Sequence, residues 1–115
     1  MESVLEEKAY KLAIRIVNAY KFLCKEHKEY VLSKQLLRAG TSIAANICEG
    51  RGGISKADFS AKLSISYKEA RETKYWLSLL KDTGYLSEIE FQSIYDDTDE
   101  VAAMLFQTLK SSGRV

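Results

Sequence analysis

Residues with the means to do chemistry are few in this chain, and they are scattered. The single histidine, His27, ends an apolar stripe with Glu26 and Glu29 beside it. A helical di-metal centre draws a Glu-x-x-His pair from each of two helices, and the sequence contains no such pair. Glu69-x-x-Glu72 supplies two carboxylates at helical spacing, but without a histidine that pattern reads as surface charge. Ser, Cys and His occur without a local nucleophile–base signature. "GRGGISK" at 50–56 resembles a phosphate loop in composition, yet it follows a helical run and lacks the Gly-Lys-Ser/Thr ending. Arg51 and Lys56 near a helix start could hold an anion weakly; a turn is the plainer role. The expectation is a protein that is not an enzyme, with no cofactor and no metal.

Two constellations suit binding better than catalysis. Lys8, Lys11, Arg15, Lys21 and Lys25 form a run of bases with no acid between them. Lys8, Lys11 and Arg15 share a helical face that could neutralise successive phosphates of RNA or DNA. Six acids between Glu88 and Glu100, with no base among them, are the competing partner for that face; plain solvation is another. The second constellation is Gln35, Arg38, Ser42, Asn46 and Glu49, stepping by three or four residues along one narrow stripe. It lies roughly opposite Leu36, Gly40, Ile43 and Ile47, at 100° per residue. A solvated face favours long charged side chains. This one is mostly short and polar and is flanked by Ala39 and Ala45, so a half-hidden polar seam between helices or subunits is expected. Glu69 shares a line with Lys62, Ser66, Thr73, Trp76 and Leu80, where a carboxylate needs a cation. Arg38 is the candidate, and an exposed Glu69 paired with Lys62 or Lys68 is the alternative. Tyr75, Trp76 and Tyr85 could anchor a partner or close the end of the fold.

The elements that must position these residues are helices. There is no proline, and six glycines are spread over 115 residues. Ser3-x-x-Glu6 and Ser87-x-x-Glu90 are capping boxes, Ser55-x-x-Asp58 is a weaker relative, and Gly84 and "GRGG" punctuate the chain. The spacing predicts helices near 4–28, 33–50, 56–82 and 88–111. Leu5, Ala9, Leu12, Ile16 and Leu23 stripe the first and Leu36, Gly40, Ile43 and Ile47 the second. Phe59, Leu63, Tyr67, Ala70 and Leu77 stripe the third, and Phe91, Ile94, Val101, Leu105 and Leu109 the fourth. Short connections favour antiparallel neighbours, so the expected fold is all-α: an antiparallel up-down-up-down four-helix bundle. Residues 1–115 read as one domain.

Composition bounds the rest. With 46 % apolar residues, 29 % charged residues and a net charge of +1, the chain reads as a globular protein without an overall nucleic-acid footprint. It has no run of membrane-spanning length, hence no expected membrane partner. "MESVLEEKAY" lacks the order of a signal peptide, which makes the cytoplasm the expected location. Cys24 and Cys48 have no metal-type spacing and each lies within an apolar stripe. Two buried free thiols are expected, with a disulfide as the minor alternative.

"QLLRAGTSIAANICEGRG" followed by "KADFSAKLSISYKEARETKYWLSLLKDTGYL" resembles the small four-helix-bundle proteins encoded in intervening sequences of bacterial 23S rRNA genes. The matching pieces are Gln35, Arg38-Ala39, Ser42-Ile43, Asn46-Ile47, Glu49-Gly50, Phe59, Leu63 and Ser66-x-x-Glu69. The resemblance implies a cytoplasmic bundle that assembles with itself, typically as a homopentamer, and it brings no established enzymatic activity to carry over. A related branch serves diversity-generating retroelements as an accessory protein that binds reverse transcriptase and nucleic acid. Ile65 and Tyr67 stand where many members have Gly and Leu, and the strong positive charge of the retroelement branch is missing. The expected function is a non-catalytic adaptor binding RNA or DNA through the basic face, with a protein-interaction scaffold as the alternative.

Overall fold

The computed structural model describes residues 3–113. Four helices follow one another: α1 (Val4–His27), α2 (Leu32–Arg51), α3 (Lys56–Asp82) and α4 (Glu88–Ser111). Three begin where a serine stands ready. The Ser3 and Ser87 side chains accept from the N–H groups of Glu6 and Glu90, whose carboxylates return the bond; Ser55 accepts from Asp58. Each bond satisfies an orphan donor of a first helical turn. Gly84, at φ +89°, turns the chain after α3 in a conformation open to glycine.

The start of α2 is built differently. Glu29 lies two residues before the helix junction, is only 9 % exposed, and turns its carboxylate onto the helix end. Its oxygens accept from the N–H groups of Val31 (3.2 Å), Leu32 (3.0 Å) and Ser33 (2.7 Å). The Ser33 hydroxyl returns a bond to the Glu29 carbonyl at 2.6 Å. Burial alone would raise the pKa of this carboxyl, but the three backbone donors outweigh it and hold it below its ordinary value.

Each helix packs against two others: α1 against α2 and α4, and α3 against α2 and α4. This square of antiparallel neighbours measures 44 × 22 × 21 Å and is the expected up-down-up-down four-helix bundle. One cluster of buried side chains, drawn from all four helices, fills it; Leu12, Ile16, Leu36, Ile43, Leu63, Leu77, Val101 and Leu105 are almost wholly enclosed. Gly40 sets the distance between α1 and α2. A Cβ there would stand 2.7 Å from two carbons of Ile16, closer than side chains tolerate.

Two sequence expectations change. Ala39, read as lining the polar stripe, is fully buried, because it sits one step of 100° from Gly40 and inside the core arc. Cys24 and Cys48 are free, but Cys24 is only partly buried and Cys48 is exposed. Cys48 lies one step past the buried Ile47, which carries it out of the core toward the outer face of α1 and α2.

Candidate interaction surfaces

Three outer surfaces carry the residues singled out by type and spacing. The first is the seam between α2 and α3. Arg38 reaches across from α2, with Nη1 3.3 Å from both oxygens of Glu69 and Nη2 bonded to Glu72. The Trp76 indole donates to the same Glu72 carboxylate at 2.9 Å. One guanidinium thus bridges two carboxylates a helical turn apart. The Trp76 bond, joined by Arg38, holds the Glu72 carboxyl below its usual range; the bond to Glu72 and the charge of Glu69 raise the guanidinium's pKa. At the other end Lys62 meets Glu49 at 2.9 Å. The short polar groups between them turn inward on their own helix: Ser42 donates to the Arg38 carbonyl and Asn46 to the Ser42 carbonyl, at 2.6 and 2.8 Å. Ser66 crosses beneath them to the Ile43 carbonyl at 2.8 Å. Glu69, Ser42 and Asn46 are half-buried, whereas Gln35, Arg38 and Glu49 are exposed.

The second surface joins α1 and α4, where the basic run meets the acidic one. Lys8 lies 3.3 Å from Glu100, and Arg15 lies 2.6 Å from Asp97. Arg15 also donates to the Ser93 hydroxyl and carbonyl. Lys11 pairs with Glu7 on its own helix at 3.3 Å. Lys21 and Lys25 are exposed and make no ion pair among the described residues. Such surface pairs stabilise by about 0–1 kcal/mol each; their consequence here is to match three of the five bases of the run with a carboxylate. Between Arg15 and the turn after α3, Phe22, Leu86, Ile89 and Ile94 line a groove of about 420 Å³.

The third surface, along α3 and α4, was not anticipated as a site. Tyr67, Arg71 and Lys74 of α3 face Asp99 and Phe106 of α4 around a groove of about 550 Å³. A second hollow of about 310 Å³, lined by Tyr75, Ser78 and Tyr95, shares Arg71 and Lys74 with the first. Each helix alone shows these residues as the flank of an amphipathic stripe, so only the pairing of α3 with α4 reveals the groove.

At the end near the α3–α4 turn, Trp76 and Tyr85 are half-buried against the core, and His27 lies between the rings of Phe22 and Tyr85. Tyr75 remains 58 % exposed with its ring edge on Trp76. Among the described residues, no group of His, Cys, Asp and Glu is arranged to hold a metal ion. No helix is long and apolar enough to cross a membrane.

The fold and its surfaces define an all-α antiparallel four-helix bundle with charge-paired seams. Residues 2–107 match the family model described as 23S rRNA-intervening sequence protein, and the chain belongs to that family. A crystal structure from Bacteroides thetaiotaomicron, described as a protein with unknown function from the S23 ribosomal protein family, is 50 % identical. It superposes with a TM-score of 0.92 over 93 % of this chain and 99 % of that one. No curated protein matches the chain.

Proposed function

We propose that this protein is a non-catalytic, cytoplasmic scaffold that works as a homo-oligomer, a pentameric ring being the assembly its sequence resemblance implies. Copies meet on the outward side of α1 and α2, and a protein partner docks on the assembled ring. The observation that carries this reading is the exposure of Tyr10 (65 %) and Ile14 (47 %) on α1, together with the small exposed side chains of Ala45 and Cys48 on α2, the helix packed against α1. Removing an aliphatic or aromatic side chain of this size from water is worth roughly 1.5–3 kcal/mol. Short neighbours allow a second helix to approach closely, as interface cores require. The polar seam supports the same surface from its edge, since Arg38 and Glu49 are fixed by α3 and frame Ser42 and Ala45.

The alternative, RNA or DNA on the basic face of α1, draws on Lys11, Lys21 and Lys25, because Lys8 and Arg15 are held by α4. The absence of free cations at those two positions weighs toward the scaffold.

Light scattering across a concentration series tests the assembly. The expected mass is a multiple of 13.0 kDa, falling to that of one chain in Tyr10→Lys/Ile14→Glu with helical circular dichroism unchanged. A monomeric wild-type protein at about 100 μM, well above the dissociation constants of stable assemblies, would overturn the proposal.

A further inference from the structure

We infer that the groove between α3 and α4 is a binding site for a short single strand of nucleic acid. Four aromatic rings line its two adjoining hollows, two in each. Tyr67 and Phe106 lie at one end with ring centroids 5.9 Å apart. Tyr75 and Tyr95 line the hollow at the other, Tyr75 with its ring edge on Trp76 and Tyr95 packed on Phe91. Between the pairs stand Arg71 and Lys74, which border both hollows. Arg71 is exposed and has no ion-pair partner among the described residues. Lys74 is held by Asp99 at 2.7 Å and lies 5.3 Å from the Tyr95 ring centroid. It neutralises the one carboxylate lining the groove, so the charge of Arg71 is left over.

Rings alternating with a free cation are the features that bind unpaired bases and their phosphates. From Tyr67 to Tyr75 is eight residues, about 12 Å of helix, which matches roughly three to four phosphates at a stacked spacing of about 3.4 Å. A lone nucleotide would leave one ring pair empty. Axes of packed helices lie about 8–10 Å apart, so the furrow admits one strand and excludes a duplex. An acidic peptide would satisfy Arg71 but offers no flat faces to the rings.

The groove lies on the side of the bundle opposite the outer face of α1 and α2. Self-association there leaves it open, and the two readings fail independently. Only α1 carries the basic run noted in the sequence, so this site is also separable from that one.

Fluorescence anisotropy with labelled eight-nucleotide RNA and DNA strands, at low salt, tests the inference. The expected result is binding of the single strands, weaker binding of the matched duplex, and affinity that falls with added salt. Arg71→Glu and Tyr75→Ala, both at exposed positions, should each weaken binding about tenfold, as loss of one stacked base or one phosphate contact does. Lys11→Glu on α1 should change it less than twofold. Failure of both strands to bind would overturn the inference. So would affinity untouched by Arg71→Glu, loss of binding in Lys11→Glu, preference for the duplex, or binding of polyglutamate with neither oligonucleotide bound.

Discussion

Glu29 shows what a single carboxylate does when its surroundings supply donors instead of water. Three backbone N–H groups at the start of α2 converge on it, a role usually taken by Ser, Thr, Asp or Asn at the cap itself. Truncation by Glu29→Ala strands those donors and should lower stability by about 2 kcal/mol, read from urea midpoints. The pH dependence has a definite sign. The folded pKa lies below the ordinary value of 4.5, so the stabilisation is fully present above that value and is lost as pH falls through the folded pKa. Wild type and Glu29→Gln should therefore converge in thermal melts as pH drops below about 4.5; a gap unchanged between pH 7 and pH 3 would contradict the capping role. In the sequence, Glu29 looked like one of two acids flanking His27, because nothing local announces that the chain folds back over it. The Arg38–Glu69 pair was foreseeable, since both residues lie on mapped stripes; the capture of Glu72 by Arg38 and Trp76 depended on the register of α2 against α3.

At the scale of the element, the ends of α3 and α4 agree with the spacing-based boundaries because Ser55, Ser87 and Gly84 act within a few residues of themselves. The start of α2 differs by one residue, since its cap comes from outside the helix. Gly40 belongs to this scale too. Alanine is the better helix former by roughly 1 kcal/mol, yet a methyl group there would press on Ile16. Overpacking of a core costs about 1–3 kcal/mol, so Gly40→Ala should destabilise the protein by up to about 2 kcal/mol. The pair Gly40→Ala/Ile16→Ala should be more stable than the two single effects summed, because the new methyl enters space that Ile16 vacates. Additive effects in a double-mutant cycle would show that the contact does not set the α1–α2 spacing.

For the whole molecule, one cluster of buried side chains spans all four helices, so the bundle should unfold as a unit. Leu77→Ala removes a fully enclosed side chain and should destabilise by about 3 kcal/mol. That lowers Tm by roughly 10 °C or more in a domain of this size. Circular dichroism and Trp76 fluorescence should report the same single transition; two separated transitions would refute the shared core. The sequence by itself determined that there are four amphipathic helices, where most of them begin and end, and which stripe of each faces inward. Those properties are local, written in caps and in a repeat of 3.6 residues. Only the tertiary structure decided which charged faces meet, that Lys8 and Arg15 are matched by Glu100 and Asp97, and that Tyr67, Arg71, Lys74 and Phe106 share a groove. Contacts between helices depend on their order around the core and on their axial offset, and packing of all four together fixes both.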